Sequence, residues 1–304
     1  MISALVTGAN GFVGRAVVTE LHAQGIEVTA VVRSQTDVFS DLEGVHTVSC
    51  DMQSYNHLPD LVSKYRPEVF YHFAWGGTAG PDRANERIQL ANIQGACDAV
   101  HAAKAIGCSR FIFASSIMEY EVQAEVAAMK NPGINSVYST AKMTADYFTR
   151  ILASNSGLEY ISALISNIYG PGENSPRLIN TCIRKLLNGE HIALSPGEQL
   201  YDFIYVTDAA RAFSYIGTEG RNGTTYYIGN RVPRKLKTFL EELRDVVAPG
   251  ATLGFGEIPF QGVSLSYKEF NTELLYQDTE FEPQISFMEG IRKTKDGILK
   301  EANG

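Results

Sequence analysis

Ile2-Ser3-Ala4-Leu5-Val6-Thr7-Gly8-Ala9-Asn10-Gly11-Phe12-Val13-Gly14 opens the chain, and its reading decides the fold. Ile2 to Thr7 is a short, mostly apolar run of the length of a buried strand. The glycine turn follows at once. Ala16, Val17, Val18 and Leu21 then recur at helical spacing until the pattern fades near Gly25. Strand, glycine turn and helix together are the context that a dinucleotide-binding fingerprint requires. Gly8, Gly11 and Gly14 let backbone N–H groups approach a pyrophosphate, whose charge the helix N-terminus favours. Asn10, Phe12 and Val13 complete the same turn and are expected to touch the cofactor with it. The spacing is Gly-x-x-Gly-x-x-Gly instead of the commoner Gly-x-Gly-x-x-Gly. A turn that merely closes a βαβ unit is the alternative.

A second apolar run, Ile26 to Val32, ends in Arg33-Ser34. An acidic residue at this point usually holds the ribose 2′-hydroxyl of NAD, whereas an Arg suits a 2′-phosphate. Arg33 and Ser34 therefore predict NADP(H), with NAD as the alternative if Arg33 is only a surface residue. Val45 to Val48 leads into Cys50-Asp51-Met52, where Asp51 and Met52 read as an adenine-side loop, although Asp51 could equally serve a turn. Glu68 to Phe73 is a strand running into Ala74-Trp75-Gly76-Gly77, and Arg83 to Ile106 reads as a long helix. Arg110 to Ala114 is a strand closing on Ser115-Ser116, and Glu159 to Ile165 is another. This alternation predicts an α/β fold, a doubly wound parallel sheet of the Rossmann kind. Ligands of such sheets sit beyond the carboxyl ends of the strands. Gly8, Arg33, Ala74, Ser116 and Asn167 all follow strand ends, so one rule gathers them on one edge.

Between the last two strands lies Tyr138-Ser139-Thr140-Ala141-Lys142. Asn135 or Ser136 can cap a helix here, and Ala141, Ala145, Phe148 and Leu152 make an apolar stripe along it. Tyr138 and Lys142 then share one face, a turn apart. A free phenol ionises near pH ~10, and bringing it to neutral pH takes about 4 kcal/mol of differential stabilisation, which a neighbouring cation helps to supply. A phenol so tuned can protonate a carbonyl oxygen or deprotonate an alcohol. An exposed Tyr and Lys on a plain helix are the bland alternative.

Composition narrows the class. The 304 residues suffice for one large α/β unit with a smaller appended region. The formal net charge of −8 and the lack of a basic cluster argue against nucleic acid as a partner. Cys50, Cys97, Cys108 and Cys182 are scattered without metal or disulfide spacing, so no metal site is expected and the thiols read as reduced. The N-terminus enters a core strand directly and no apolar run reaches spanning length. No signal peptide or membrane association is expected, and the protein is expected to be cytoplasmic.

Five motifs in order, spread over nearly the whole chain, resemble the extended short-chain dehydrogenase/reductase family that modifies nucleotide-activated sugars. They are Thr7–Gly14, Ser115-Ser116-Ile117-Met118-Glu119-Tyr120, Tyr138-x-x-x-Lys142, Asn167-Ile168-Tyr169-Gly170-Pro171-Gly172 and Tyr201-Asp202-Phe203-Ile204-Tyr205-Val206-Thr207-Asp208. The resemblance implies Tyr138 as general acid/base and, with Lys142, as a cofactor contact, Lys142 bonding the nicotinamide ribose and lowering the Tyr pKa. It implies Ser116 steadying the substrate oxygen and the segment around Phe73-Ala74 passing the cofactor. Asn167 would touch the nucleotide diphosphate, and Asn92 would be structural or a proton relay. Trp75 and Tyr201 are candidate substrate contacts, with plain packing the alternative for Trp75. A homodimer through residues 83–106 and 136–155 is implied as well.

Departures from the pattern narrow the expected chemistry. Dehydratases of the family place an Asp-Glu pair directly after the Ser/Thr, and the epimerase-reductases place a Cys there. Ile117 and Met118 stand here instead. Hydride transfer at one carbon, usually C4, remains. With Arg33 this implies NADPH-dependent reduction of a nucleotide-linked 4-keto-(6-deoxy)hexose. The alternatives are a nucleotide-sugar 4-epimerase holding NAD tightly and a non-catalytic cofactor-binding regulator. Tyr201 replaces the usual diphosphate-binding Arg, leaving Arg177, Arg184 or Arg292 for that charge, each of which could also be a surface residue. Leu178–Leu187, Asp208–Ile216, Lys237–Val247 and Ser286–Leu299 read as helices, Thr225–Ile228 as a strand returning to the sheet, and Glu257–Glu269 as irregular. Residues 1–169 are expected to form the dinucleotide-binding domain, joined by 201–229. Residues 170–200 and 230–304 are expected to form a smaller, non-contiguous substrate lobe.

Overall fold

The computed structural model describes residues 1–129, 131–134 and 136–303. Asn135, one of the two expected helix caps, lies outside them. The first half alternates: β1 (Ser3–Thr7), α1 (Phe12–Ala23), β2 (Glu27–Val32), β3 (Val45–Ser49), α2 (Leu58–Val62), β4 (Val69–His72), α3 (Glu86–Ile106), β5 (Arg110–Ser116), α4 (Glu119–Ala127), α5 (Ser136–Ser156) and β6 (Glu159–Ile165). The second half is shorter-limbed: β7 (Asn167–Tyr169), α6 (Leu178–Leu187), β8 (Ile192–Leu194), β9 (Leu200–Tyr201), β10 (Phe203–Tyr205), α7 (Val206–Thr218), β11 (Thr224–Ile228), β12 (Arg234–Lys235), α8 (Leu236–Val247), β13 (Leu253–Phe255), α9 (Leu274–Thr279) and α10 (Phe287–Asn303).

Seven strands form one sheet in the order β11-β6-β5-β4-β1-β2-β3, every pair parallel. β1 and β4 are buried along their whole length, which is why they read as unbroken apolar runs rather than alternating ones. Helices cover both faces. Val17, Val18 and Leu21 of α1 pack with Ala209, Phe213 and Ile216 of α7 in one core. Ala96, Ala99 and Ala103 of α3 pack with Ala145 and Ala153 of α5 in the other. From β1 the chain steps outward to β2 and β3, then returns to β4 on the opposite side. A crevice therefore opens at the carboxyl ends of β1 and β4, where Thr7 lies opposite His72. β7 and β10 pair in parallel beside the end of the main sheet, while β9 pairs with β12 and β8 with β13.

Three local expectations change. Helix α3 starts at Glu86 and not at Arg83, because the Asn85 side chain accepts from the N–H groups of Arg87 and Ile88 and so caps it there. Pro81–Ala84 is a separate 3₁₀ turn that carries Arg83 outside the helix. On α5 the buried stripe runs through Tyr138, Ala141, Lys142, Ala145 and Thr149, whereas Phe148 points outward, half exposed. Helix α4 has no counterpart in the apolar pattern, since two of the residues it buries are Glu119 and Glu121.

Candidate active site

The turn after β1 is built for close backbone approach. Gly8 has φ +65°, and a Cβ there would lie 2.7 Å from the Ala74 nitrogen. A Cβ on Gly14 would lie 2.2 Å from the Gly8 carbonyl oxygen, so α1 sits against the turn only because that position is bare. Gly11 precedes the first residue of α1, and no side chain caps it. The first N–H groups of α1 are thus left to a ligand at the positive end of the helix dipole.

Two hollows meet at Gly8, Gly11, Phe73 and Trp75. One, of about 430 Å³, is lined by Asn10, Arg33, Ser34, Asp51, Met52 and Ala74 among others. Arg33 and Ser34 are exposed there, past the end of β2. The Asp51 carboxylate also accepts from the Gln53 N–H at 2.9 Å, so it holds the turn as well as facing the hollow. The other, of about 270 Å³, is lined by Phe12, Val13, Gly14, Ser116, Tyr138 and Lys142, and also by Ile168 and Arg177. Ser115 Oγ on its wall is buried without a hydrogen-bond partner among the described residues. A glycine cradle at a helix N-terminus, flanked by two adjoining hollows of which one holds an unpaired hydroxyl, fits a dinucleotide.

Tyr138 and Lys142 come from one face of α5, as their spacing requires, and both line this second hollow. Lys142 Nζ donates to the Ala114 carbonyl oxygen at 2.8 Å and lies 3.7 Å from the centre of the Trp75 ring. Trp75 is held in turn by Gln89, which accepts from its indole N–H at 3.0 Å. Burial lowers the Lys142 pKa to about 7, against the pull of Glu119 and Asp146. Burial raises the Tyr138 phenol above its ordinary value, while Arg177, Arg83 and the Ser116 hydroxyl favour its ionised form. Two arginines outside the Tyr-x-x-x-Lys motif therefore act on the phenol. Ser116 Oγ also accepts from the Met118 N–H at 3.2 Å.

Burying the Lys142 amine makes stability depend on pH. A lysine in the unfolded chain keeps its proton to pH ~10.4. Between about pH 7 and that value only the unfolded state carries the proton, so Lys142 makes stability rise with pH, and its full cost is present below about pH 7. Lys142→Met is expected to be more stable than the parent by roughly 1–4 kcal/mol at about pH 6, the gain fading toward pH ~10. Urea unfolding at both pH values checks this; an equal gain at both would contradict the account.

A third hollow, of about 260 Å³, continues from the second at Thr78, Ile168 and Arg177, and takes in Arg83, Asn167 and Tyr201. The Asn167 amide nitrogen donates to the Asp202 carbonyl oxygen at 3.0 Å, tying β7 to the strand beside it. Of the three arginines proposed for the diphosphate, only Arg177 lies here, 3.3 Å from Glu173. Arg184 is spent on the Glu173 carbonyl oxygen at 3.0 Å, and Arg292 lines a separate hollow with Asp245 and Asp296. The Asn92 amide exchanges two hydrogen bonds of 2.8 Å with the backbone of Gly76. Arg83 is a site cation that no motif announces. Its guanidinium carbon stands 4.5 Å from the centre of the Tyr138 ring.

Residues 4–229 match the model of the NAD dependent epimerase/dehydratase family. The chain is 30% identical over 177 residues to dTDP-glucose 4,6-dehydratase of Shigella flexneri, covering 56% of this chain and 49% of that protein. It thus spans about half the length of that relative. It is 28% identical over 336 residues to dTDP-glucose 4,6-dehydratase of Neisseria meningitidis serogroup B, covering 97% and 92%. Its fold matches that of Thermotoga maritima UDP-glucose 4-epimerase with UDP-glucose at a TM-score of 0.82 and 20% identity, over 99% of both chains.

Proposed function

The chain belongs to the NAD dependent epimerase/dehydratase family, of the extended short-chain dehydrogenase/reductase type, and from that premise we propose that it reduces a nucleotide-linked 4-keto-(6-deoxy)hexose with NADPH. The observation that carries the reading is the convergence of Ser116, Tyr138 and Lys142 on one cavity with the Gly8–Gly14 turn. Bound NADPH would supply the hydride to C4 of the sugar. Tyr138 gives its phenolic proton to the carbonyl oxygen, so the ketone becomes an alcohol. Ser116 holds that oxygen by its hydroxyl. A phenol kept protonated by burial suits a proton donor.

Elimination of water is disfavoured by the residues after Ser116. Ile117 is buried in an apolar cluster with Leu164, Tyr227 and Phe270 and has no proton to move. Glu119, the next acid along, is buried, and burial beside Asp146 holds its carboxyl well above the usual carboxylate range. It does not line the cavity that Tyr138 faces. Asn167, Trp75 and Tyr201, with Arg177 for the diphosphate, would hold the sugar nucleotide, and residues 170–200 and 230–304 would form the lobe around it. Incubation with NADPH and a nucleotide-linked 4-keto-6-deoxyhexose should consume the two in equal amounts. Interconversion of a nucleotide hexose by NAD that co-purifies, with no NADPH consumed, would instead mark a 4-epimerase.

The proposal extends to assembly. Leu90 on α3 and Tyr147, Phe148 and Ile151 on α5 are apolar, exposed and on the helices expected to pair two copies. The parent should run as a dimer in light scattering and Phe148→Glu as a monomer. A monomeric parent would remove this part of the reading.

A further inference from the structure

We infer that Arg83 binds the diphosphate of the sugar nucleotide, closing with Arg177 an anion clamp across the third hollow. The inference rests on the proposed reading of the substrate as a nucleotide-linked sugar, and it adds to that reading a phosphate ligand from the loop after β4.

The make-up of the hollow carries it. Arg83 enters from the turn Pro81–Ala84 and Arg177 from the residue before α6, and no carboxylate stands among the described residues on the wall they share. In a chain of net charge −8, two guanidinium groups so placed make a local site for an anion. Arg177 shares part of its charge with Glu173 at 3.3 Å. Arg83 does not share its own: among the described residues no hydrogen bond or ion pair engages this partly exposed guanidinium, and its Nε is buried without a partner. Its carbon lies 4.5 Å from the centre of the Tyr138 ring. A guanidinium stacked on a ring keeps its N–H edge free, and that edge matches two phosphate oxygens at once.

The neighbours fit the same ligand. Leu178, Ile179 and Asn180, the first turn of α6, line the hollow, and no side chain caps that helix, so its first N–H groups add to the positive end. Asn180 is buried and donates its amide nitrogen to the Gly170 and Glu173 carbonyl oxygens, which leaves its Oδ1 unpartnered as an acceptor for a ligand hydroxyl. Burial raises the Tyr201 phenol above its ordinary value and Arg83 works against that, so the cation that position 201 does not supply comes from the loop after β4. Arg83 lines neither hollow given to the dinucleotide, which leaves its charge to the substrate.

The loop is set before a ligand arrives. The Gln89 amide nitrogen donates to the Gly77 carbonyl oxygen at 3.0 Å and to that of Asp82 at 3.4 Å. Gly77 has φ +64°, and a Cβ there would lie 2.5 Å from the Asp82 oxygen. The loop thus folds back on itself and holds Arg83 where a phosphate can meet it at little further cost in order.

The test is calorimetric titration of the full chain with UDP, dTDP, GDP, CDP and ADP in turn, with NADPH at saturation so that the glycine cradle is filled. The parent should bind at least one of the five. Arg83→Met should weaken that diphosphate about 10- to 100-fold and leave NADPH affinity as it was, which also reports an intact fold. Arg83→Lys, which keeps the charge without the two-pronged edge, should lose less. Arg83→Gln stands in if the Met variant does not fold. A parent that binds none of the five overturns the inference, as does a diphosphate affinity that Arg83→Met leaves within about twofold. An equal loss in the Lys and Met variants also overturns it, since a merely structural role would produce that. Turnover is a separate readout. Weakened diphosphate binding in a protein that reduces no 4-keto sugar would keep the clamp and remove the reaction; reduction by NADPH with unaltered diphosphate binding in Arg83→Met would do the reverse.

Discussion

Tyr138→Phe is expected to lose roughly 100- to 10,000-fold in kcat for NADPH-dependent reduction while its affinity for NADPH stays unchanged. The substitution removes one oxygen. The ring keeps its place between the Trp75 edge and the Arg83 guanidinium, and the stretch of α5 around it stays packed through Ala141 and Ala145. Phe keeps the ring that lines the cavity shared with Gly8, Gly11 and Gly14, so cofactor binding has no reason to suffer. The loss is that of the only phenolic proton lining the cavity that holds Ser116 among the described residues. Ser116 cannot replace it, since a hydroxyl of far higher pKa than a phenol is a poor donor at neutral pH. Single-turnover mixing with a nucleotide-linked 4-keto-6-deoxyhexose, beside a fluorescence titration with NADPH, separates the two effects. Turnover within about tenfold of the parent would remove Tyr138 from the chemistry.

The parts of this site that are legible in the sequence are those fixed by local pattern. A strand, a turn and a helix each have a period or a glycine that announces it, so Gly8–Gly14 and the edge that gathers Arg33, Ser116 and Asn167 can be placed from the order of residues alone. Tyr138 and Lys142 share a helix face because four residues make about one turn. Four residues do not determine where two long side chains end. Lys142 turns toward Ala114 and Trp75, and that choice depends on β5 and on the loop after β4, both distant in sequence.

Arg83 is unreadable for a related reason. Its meaning hangs on Asn85, whose capping of α3 turns the preceding residues into a separate turn, and an Asn in a run of helix formers does not announce that. The arginines offered for the diphosphate fare unevenly because cations carry no periodicity. Arg177 reaches the cleft, Arg184 is spent on a loop carbonyl, and Arg292 is elsewhere. Helix α4 escapes the apolar pattern because its buried face is partly acidic. Glu121 accepts from Ser139, and Glu125 accepts from Ser136 at 2.9 Å, so polar ties to α5 do what an apolar stripe would otherwise do.

Arg33→Asp is the other substitution with a large expected effect, and it falls on binding rather than on turnover. Arg33 stands just past β2, exposed, on the rim of the hollow shared with Ser34, Asp51 and Met52. Among the described residues no hydrogen bond or ion pair engages its guanidinium, so its charge is available to a ligand. A charge-assisted hydrogen bond to a 2′-phosphate contributes about 1.5–3 kcal/mol, which corresponds to roughly 10- to 100-fold in affinity. The aspartate adds repulsion toward that phosphate and offers an acceptor for a 2′-hydroxyl. Affinity for NADPH should therefore fall by roughly that factor while affinity for NADH holds or rises. The loss should shrink with added salt, because an exposed charge is screened. Calorimetric titration of parent and variant with each dinucleotide measures the ratio directly. An NADPH-to-NADH ratio that Arg33→Asp leaves in place would show that the 2′-phosphate does not reach Arg33, and would return the choice of cofactor to NAD.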